Sequence, residues 1–376
     1  MASEIQQDIQ SHLPLTADVN PKNQISYQAL RTANTGFNMT LLAGAEAYIN
    51  GLEIPDRILK SVLEASVQIC YKNFPSLLVP YEWLSEEREH LAEGSRELMK
   101  IQYDLPEEMF RLMLGEGKLT YPKYTMALWE KGALNLEQAQ MHMLDDVIEK
   151  VGIKDGDEIL DLGCGWAAAS NYILAQFPNV KVTALNLSHE QCGYMRKKMQ
   201  DPGSYLSSER FTLYEEDFND AKFETKFDKI IAIGLFEHIG NLTKAFAKLA
   251  DFLKNDGRVF IHIITTSLPN NITNPFIDKY IFPNMRVWSY DIIPTINKNL
   301  KTTNRWYLNG VNYSKTLRSW LRNFDQSQAK IKDLNYGMSY AKFRRLWRLY
   351  LLLCIAHFDG CNGEILGNGQ YLLVHS

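Results

Sequence analysis

The chain has 376 residues, of which 45% are hydrophobic and 22% are charged, and its formal net charge is -4 at pH 7. This composition predicts a globular protein with a substantial core, and it gives no general attraction to nucleic acid or to an anionic membrane. The most apolar run, residues 349–356, is far shorter than the roughly 18 to 20 residues of a spanning helix, so we expect a buried helix and no stable membrane insertion. The five cysteines form no C-x-x-C pair, which argues against a disulfide framework and a zinc site and favours the cytoplasm.

Helical periodicity dominates the first third of the chain. Apolar residues recur at spacings of three and four between about residues 25 and 118, most clearly in segments 55–63 and 106–114, and no alternation typical of strands interrupts them. The sequence therefore predicts an N-terminal helical region over residues 1–120, followed by a second domain over residues 121–376.

Short apolar runs rich in β-branched residues alternate with helical segments from about residue 157 onwards. Such alternation is typical of an α/β fold with a doubly wound, mostly parallel sheet. The predicted strands are residues 158–162, 180–187, 211–214, 229–233 and 259–264.

The first predicted strand leads directly into an acidic residue and two closely spaced glycines. Asp161, Gly163 and Gly165 precede a helix-like segment, so this turn lets a ligand touch bare backbone at a helix N-terminus. The turn lacks the third glycine of a dinucleotide-binding fingerprint and the lysine of a P-loop. It resembles motif I of the class I S-adenosylmethionine-dependent methyltransferases, which implies S-adenosyl-L-methionine as cofactor, S-adenosyl-L-homocysteine as product and a seven-stranded Rossmann-like sheet. The alternative is a tight turn that binds no ligand.

Ligands of an open α/β sheet bind beyond the carboxyl ends of its strands. The second strand ends at Asn186 and Leu187, and Asn186 could hydrogen-bond the ribose hydroxyls with help from Gln191, one helical turn later. The third ends near Asp217 and Phe218, where the carboxylate could accept a hydrogen bond from the adenine amino group while Phe218 packs or presents its backbone N–H. A solvated acid in a turn is the alternative for Asp217.

The fourth strand is followed by Phe236-Glu237-His238-Ile239. This sequence resembles the family of the cyclopropane fatty acid synthases and the coclaurine-type N-methyltransferases, and the similarity covers roughly residues 100–376. The other matching motifs are Tyr103-Asp104-Leu105, Tyr124-Thr125-x-Ala127, Leu136 to Gln140, Tyr280 to Pro283 and Gly310-x-x-Tyr313.

The resemblance implies one set of roles if the acceptor is a lipid. Glu237, His262 and Tyr313 match residues that bind bicarbonate in the lipid enzymes, with Ile264 contributing its backbone. That bicarbonate is the base that removes a proton from the methylated carbocation. Met126 stands where these enzymes have a cysteine, which puts a bicarbonate-dependent cyclopropanation in doubt.

The resemblance implies another set of roles if the acceptor is an amine. Glu237 and His238 match the catalytic pair of the N-methyltransferases, and a carboxylate beside an imidazole can hold an ammonium group and take its proton. Tyr124 and Thr125 match the Tyr-Ser pair that closes over the carboxylate end of the cofactor in this family.

The segment 268–318 is rich in aromatic residues and interrupts the sheet between its late strands. We expect it to lie over the strand ends as a lid and to form the acceptor pocket together with the N-terminal helices. Aromatic rings pack an apolar acceptor and attract a cation by about 0.5 to 2 kcal/mol for each contact; ordinary core packing is the alternative for at least half of them. The aromatic residues are Phe276, Tyr280, Phe282, Trp288, Tyr290, Trp306, Tyr307 and Tyr313.

Three functions fit this sequence. The first is methyl transfer to the nitrogen of a hydrophobic, aromatic or polycyclic amine of alkaloid type; the second is methylation or cyclopropanation of an unsaturated fatty acyl lipid; the third is cofactor binding without catalysis. Met126, the slightly acidic composition and the sequence Asn362-Gly363-Glu364, which resembles the plant amine enzymes, favour the first. The partner is then a small hydrophobic molecule, and the resemblance alone implies a homodimer.

Overall fold

A mixed sheet packed against apolar side chains on both of its faces forms the centre of the computed structural model. The model describes the backbone of residues 21–73, 79–80, 91, 105–268, 270–271 and 274–376 and the side chains of residues 35–71, 91, 105–268 and 274–376. The strands within these ranges are β1 (Val79–Pro80), β2 (Glu158–Leu162), β3 (Lys181–Asn186), β4 (Phe211–Glu215), β5 (Phe227–Ile233), β6 (Leu253–Thr266), β7 (Asn270–Asn271), β8 (Trp288–Ser289), β9 (Leu300–Leu308) and β10 (Leu366–His375).

Seven strands follow one another across the main sheet in the order β4-β3-β2-β5-β6-β10-β9, and the short β8 pairs with β6 beside this path. Strands β2 to β6 run parallel, whereas β10 is antiparallel to both β6 and β9. The chain leaves β2 towards β4 on one side and returns to β5 on the other, so the carboxyl end of β2 lies at the switch point where open α/β sheets bind ligands. The predicted doubly wound sheet is confirmed.

The strand β9 lies inside the segment that the sequence predicted as a lid. Its residues, Leu300–Leu308, form the outer strand of the sheet beside β10. Only its two end residues are buried, because one edge and much of its surface face solvent. An edge strand of this kind lacks the continuous apolar run that marks β2 or β5.

Helices occupy the chain before the sheet and between its strands. Several begin at a side chain that accepts a backbone N–H: Asn135 accepts from Gln138 N at 2.9 Å and Asn241 accepts from Lys244 N at 2.9 Å. The helices of the described residues are α1 (Pro21–Ile49), α2 (Asp56–Asn73), α3 (Glu107–Leu114), α4 (Leu136–Val151), α5 (Ala168–Gln176), α6 (His189–Met199), α7 (Leu242–Phe252), α8 (Pro275–Tyr280), α9 (Ile292–Ile296), α10 (Val311–Gln326), α11 (Gln328–Ile331) and α12 (Tyr340–Asp359).

The N-terminal helical region packs against the long helix α12. One face of α2 buries Leu59, Leu63 and Val67 at four-residue spacing, and Arg348 of α12 donates to Asp56 of α2 at 2.5 Å. Part of the predicted helical region, residues 74–78, 81–90 and 92–104 with the motif residues Tyr103 and Asp104, lies outside the described residues, as do residues 1–20.

Helix α12 contains the most apolar run of the sequence. Residues 349–353 are buried there, as the run predicts. Within the described ranges, none of the helices combines the length and the apolar character that crossing a bilayer would need.

Candidate active site

The turn between β2 and α5 has an unusual backbone. Gly163 (φ +72°), Gly165 (φ +56°) and Ala167 (φ +60°) all adopt left-handed conformations. A Cβ on Gly163 would lie 3.1 Å from Cδ1 of Leu235, whereas a Cβ on Gly165 would meet no protein atom within 4 Å. Gly163 therefore lets the strand ends approach closely, and Gly165 presents bare backbone to open space.

Helix α5 begins directly after this turn. Ala167 precedes the helix and supplies no side-chain hydrogen bond to the first N–H groups. The amino end of α5 therefore keeps donors and a partial positive charge near the turn. This is the arrangement that the strand-glycine-helix pattern predicts.

A cavity of about 120 Å³, called here the cofactor cavity, lies beside the glycine turn. Most of the predicted cofactor residues line it. Those in its wall are Tyr124, Thr125, Asp161, Gly163, Gly165, Asn186 and Gln191.

Three predicted cofactor residues, Leu187, Asp217 and Phe218, lie outside this wall. The carboxylate of Asp217 accepts hydrogen bonds at 2.8 Å from both the backbone N and the Nδ2 of Asn219. The Phe218 ring is buried and makes an edge contact with Phe252 at 6.5 Å between centroids. The part of these three residues in adenine recognition stays a prediction.

Three of the polar residues in the cofactor cavity, Asp161, Asn186 and Gln191, are buried. Asp161 accepts from the Ser170 hydroxyl at 2.6 Å, and burial raises the pKa of its carboxyl to about 6. Asn186 donates through Nδ2 to the Gly165 carbonyl at 2.9 Å and to Oε1 of Gln191 at 2.8 Å. Asn186 therefore holds the glycine turn in place in addition to facing the cavity.

A second cavity of about 390 Å³, called here the acceptor cavity, contains all four predicted catalytic residues, Glu237, His238, His262 and Tyr313. Much of its remaining wall is apolar. The aliphatic, thioether and phenyl side chains are Ile264, Ile277, Phe282, Met285, Val287, Leu317, Phe358 and Leu366. It adjoins the cofactor cavity through a common wall formed by Tyr124, Thr125, Gly234 and His238.

Glu237 and His238 lie in a short 3₁₀ turn, Phe236–His238, that follows β5. Oε1 of Glu237 accepts the Ile264 N–H at 2.7 Å, and Oε2 has no hydrogen-bond partner among the described residues. Burial raises the pKa of Glu237 to about 7, although the Ile264 N–H lowers it. Burial, with a smaller effect of Arg286, lowers the pKa of His238 to about 4, so its imidazole is neutral at pH 7.

His262 is fully buried on β6 and lines the same cavity. Nδ2 of Asn368 donates to its Nε2 at 3.0 Å. Because burial lowers the pKa of His262 well below its usual value, the ring is neutral and its proton lies on Nδ1. That Nδ1 has no partner among the residues that the structure describes.

One face of α12 completes the acceptor cavity, although no residue of this helix is among the predicted site residues. Tyr350, Cys354, His357 and Phe358 line the cavity from this face. Their sequence spacing is that of any buried helix face and indicates core packing. That they border a cavity is evident only from the position of α12 beside the strand ends.

Only part of the predicted lid surrounds the acceptor cavity. Two of its eight aromatic residues, Phe282 and Tyr313, line the wall, and α8 contributes Ile277. Phe276 and Trp288 are buried in the core, at 4% and 0% exposure. The boundaries of the lid and of the two domains stay predictions.

The sheet order and the glycine turn at the end of β2 define the fold of the Rossmann-like methyltransferase class. The fold is similar to coclaurine N-methyltransferase crystallised with N-methylheliamine and S-adenosylhomocysteine, with a TM-score of 0.77 and 21% identity over 89% of this chain and 99% of that one.

The chain belongs to the mycolic acid cyclopropane synthetase family, whose model matches residues 91–365. This is a family of S-adenosylmethionine-dependent methyltransferases. Cyclopropane-fatty-acyl-phospholipid synthase of Escherichia coli K12 is 32% identical over 69% of this chain, and the chain spans 63% of that protein's length. (S)-coclaurine N-methyltransferase of Papaver somniferum is 25% identical over 73% of this chain and 78% of its own length.

Proposed function

We propose that the protein transfers a methyl group from S-adenosyl-L-methionine to the nitrogen of a hydrophobic amine, aromatic or polycyclic, of alkaloid type. The observation that carries this proposal is the position of the Glu237 carboxylate. This carboxylate lines an apolar cavity beside the cofactor cavity and keeps one oxygen without a hydrogen-bond partner among the described residues. A buried carboxylate oxygen needs a hydrogen-bond donor, and the N–H of a bound amine would supply one.

The residues of the cofactor cavity fit S-adenosyl-L-methionine. Gly165 presents backbone to open space, and the Thr125 hydroxyl and the Trp166 Nε1, both buried, have no partners among the described residues. Asp161 offers a carboxylate to the ammonium group at the amino-acid end. The cofactor, when bound, supplies an activated methyl group and leaves as S-adenosyl-L-homocysteine.

The residues of the acceptor cavity then prepare the amine. An amine is nucleophilic only without its extra proton, so Oε2 of Glu237 takes that proton and the carboxylate becomes a carboxylic acid. A carboxyl whose pKa lies near 7 exchanges this proton readily at neutral pH. Neutral His238 offers a second polar contact, and its ring packs 5.7 Å from the centroid of Phe282.

Most of the remaining rate enhancement comes from aligning the acceptor nitrogen with the methyl group of the cofactor. The apolar wall excludes water and holds the nitrogen towards the common wall of the two cavities. In well-oriented systems such positioning contributes roughly 7 to 11 kcal/mol to lowering the barrier.

Lipid cyclopropanation is the second candidate, and His262 favours it. Its Nδ1 is buried in the wall of the acceptor cavity without a partner among the described residues, as a bicarbonate ligand would be. Two observations weigh against it. Met126 is fully buried where the lipid enzymes have a cysteine, and the Ile264 N–H already donates to Glu237. Cofactor binding without catalysis is disfavoured because Glu237 and His238 are both present in the acceptor cavity.

The experiment that tests the proposal is a product-mass screen. The protein is incubated with S-adenosyl-L-methionine and a panel of hydrophobic amines and unsaturated phospholipids, and each product is weighed by mass spectrometry. We expect the mass gain of one methyl substitution on amines. A gain on phospholipids and on none of the amines would reject the amine assignment in favour of the lipid one.

Tyr313→Phe separates the two candidates at a single residue. The Tyr313 ring packs on Phe358 at 4.3 Å between centroids, and Phe keeps that contact. For an amine acceptor we expect kcat to fall by less than about 3-fold, because the proton passes to Glu237 rather than to the phenol. A loss of about 100-fold or more, the scale of a lost proton-transfer group, would instead indicate a bicarbonate site.

A cytoplasmic location and a homodimer are also proposed. All five cysteines are free thiols, which suits a reducing compartment. The homodimer rests on the family resemblance, and light scattering of the purified protein measures it: the mass of a single chain would contradict it.

A further inference from the structure

Lys123 is a buried cation in the wall of the cofactor cavity. Its side chain is 5% exposed, and its Nζ donates to the backbone carbonyls of Thr125 and Met126. Among the described residues no carboxylate lies within ion-pair distance of it. Burial alone lowers its pKa to about 7, and no neighbouring charge offsets this effect.

A buried ammonium group that only carbonyl oxygens contact is costly. Such a group either loses its proton or gains an anion when a ligand arrives. The amino-acid end of the cofactor carries one ammonium and one carboxylate. Asp161 lines the same cavity, so this cavity offers one acidic and one basic side chain to a ligand that has one charge of each sign.

We propose that the ammonium group of Lys123 binds the carboxylate at the methionine end of the cofactor. The inference rests on the cofactor and is independent of which acceptor is methylated. Thr125 and Tyr124 follow Lys123 directly and line the common wall of the two cavities. The same lysine that binds the carboxylate therefore also holds the carbonyls of this segment, and we expect binding to order it.

Proton uptake accompanies this contact. Above pH 7 part of the Lys123 population is neutral, and the arriving carboxylate draws a proton from solvent onto Nζ. Two other titratable groups, Asp161 and His262, line the cofactor cavity and the adjoining acceptor cavity. His262 stays neutral because burial, with smaller effects of Lys123 and Lys150, holds its pKa well below the usual range, and Asp161, with a pKa of about 6, is already ionised at pH 8. Lys123 is then the group that takes up the proton at pH 8.

Calorimetric titration tests the proposal with two ligands. One is S-adenosylhomocysteine; the other is its decarboxylated analogue, which keeps the adenosine, the thioether and the amine. We expect Lys123→Met to weaken the binding of S-adenosylhomocysteine by about 30-fold, the scale of a lost charge-assisted hydrogen bond in a buried site. Binding of the decarboxylated analogue should weaken by less than about 3-fold. Lys118→Met removes the same charge from an exposed side chain nearby and should leave both affinities unchanged. Equal weakening of the two ligands by Lys123→Met would overturn the proposal.

Proton uptake in the unaltered protein gives a second measurement that needs no variant. Titrations at pH 8 in buffers of different ionisation enthalpy should show uptake of up to one proton with S-adenosylhomocysteine and none with the analogue. The same uptake with both ligands, or uptake with neither, would refute the Lys123 contact. Methylation of lipids in place of amines would leave these results unchanged, so failure of the acceptor assignment is distinguishable.

Discussion

Glu237→Gln is expected to lower kcat for an amine acceptor by roughly 100- to 10,000-fold, the range that a positioned proton-transfer group contributes. Glutamine keeps an oxygen that can accept the Ile264 N–H, which Glu237 accepts at 2.7 Å, so the 3₁₀ turn should hold its shape. The amide cannot take a proton at neutral pH. The loss therefore reports the chemistry of the carboxylate and not the packing of the turn, and it is measured by steady-state kinetics.

The control for this variant is Asp278→Asn. Asp278 also lines the acceptor cavity but is exposed at its rim, so its removal should leave kcat unchanged. Binding of S-adenosylhomocysteine should be normal in both variants, because neither residue lines the cofactor cavity. If Glu237→Gln turned over amine at the rate of the unaltered protein, the assignment of Glu237 as the base would be wrong.

The pH dependence of kcat is an independent test of the role of Glu237. Burial raises the pKa of Glu237 to about 7, and the active form is the carboxylate. We therefore expect kcat to be low in acid and to rise with pH through about 7, while His238, neutral above about pH 4, contributes no inflection there. In Glu237→Gln this inflection should disappear.

Gly165→Val is expected to weaken S-adenosylhomocysteine binding by at least about 100-fold, which corresponds to about 2.7 kcal/mol. Gly165 has φ +56° and its Cβ position meets open space in the cofactor cavity. A branched side chain there occupies the space next to the backbone that the ligand approaches. Calorimetric titration measures the affinity.

Backbone strain must be separated from this steric effect, since a left-handed non-glycine residue costs roughly 1 to 2 kcal/mol. Gly337 offers the matched control: its φ is +67°, its Cβ position is also open, and it lies in the loop before α12. Gly337→Val should lower the melting temperature about as much as Gly165→Val does, with unchanged affinity. Normal affinity in Gly165→Val would show that the ligand does not approach this turn.

The cofactor half of the site could be predicted because its signal is local. Asp161, Gly163 and Gly165 lie within five positions at the end of a strand, and the conformational demands of such a turn select glycine. The parallel arrangement of the central strands follows from the alternation of strands and helices. Both features depend on neighbours in sequence, which is the information that a single chain provides.

The acceptor half could be predicted only in part. Glu237 and His238 follow a strand and could be found, whereas Tyr350 and His357 lie on a helix whose periodicity is that of core packing. Which face of a buried helix borders a cavity depends on contacts between distant segments. Lys123 was not predicted because the burial of a lysine also depends on contacts between distant segments. The structure leaves it 5% exposed.

The wall that Tyr124, Thr125, Gly234 and His238 form between the two cavities has a consequence for inhibitor design. A single molecule that joins an adenosine group to a hydrophobic amine by a short linker could fill both spaces at once. Once one end is bound, the other experiences an effective concentration in the millimolar range or above, so modest affinities of the separate halves combine into a strong one. Its selectivity among related enzymes would come from the amine half, which the side chains of α8 and α12 surround.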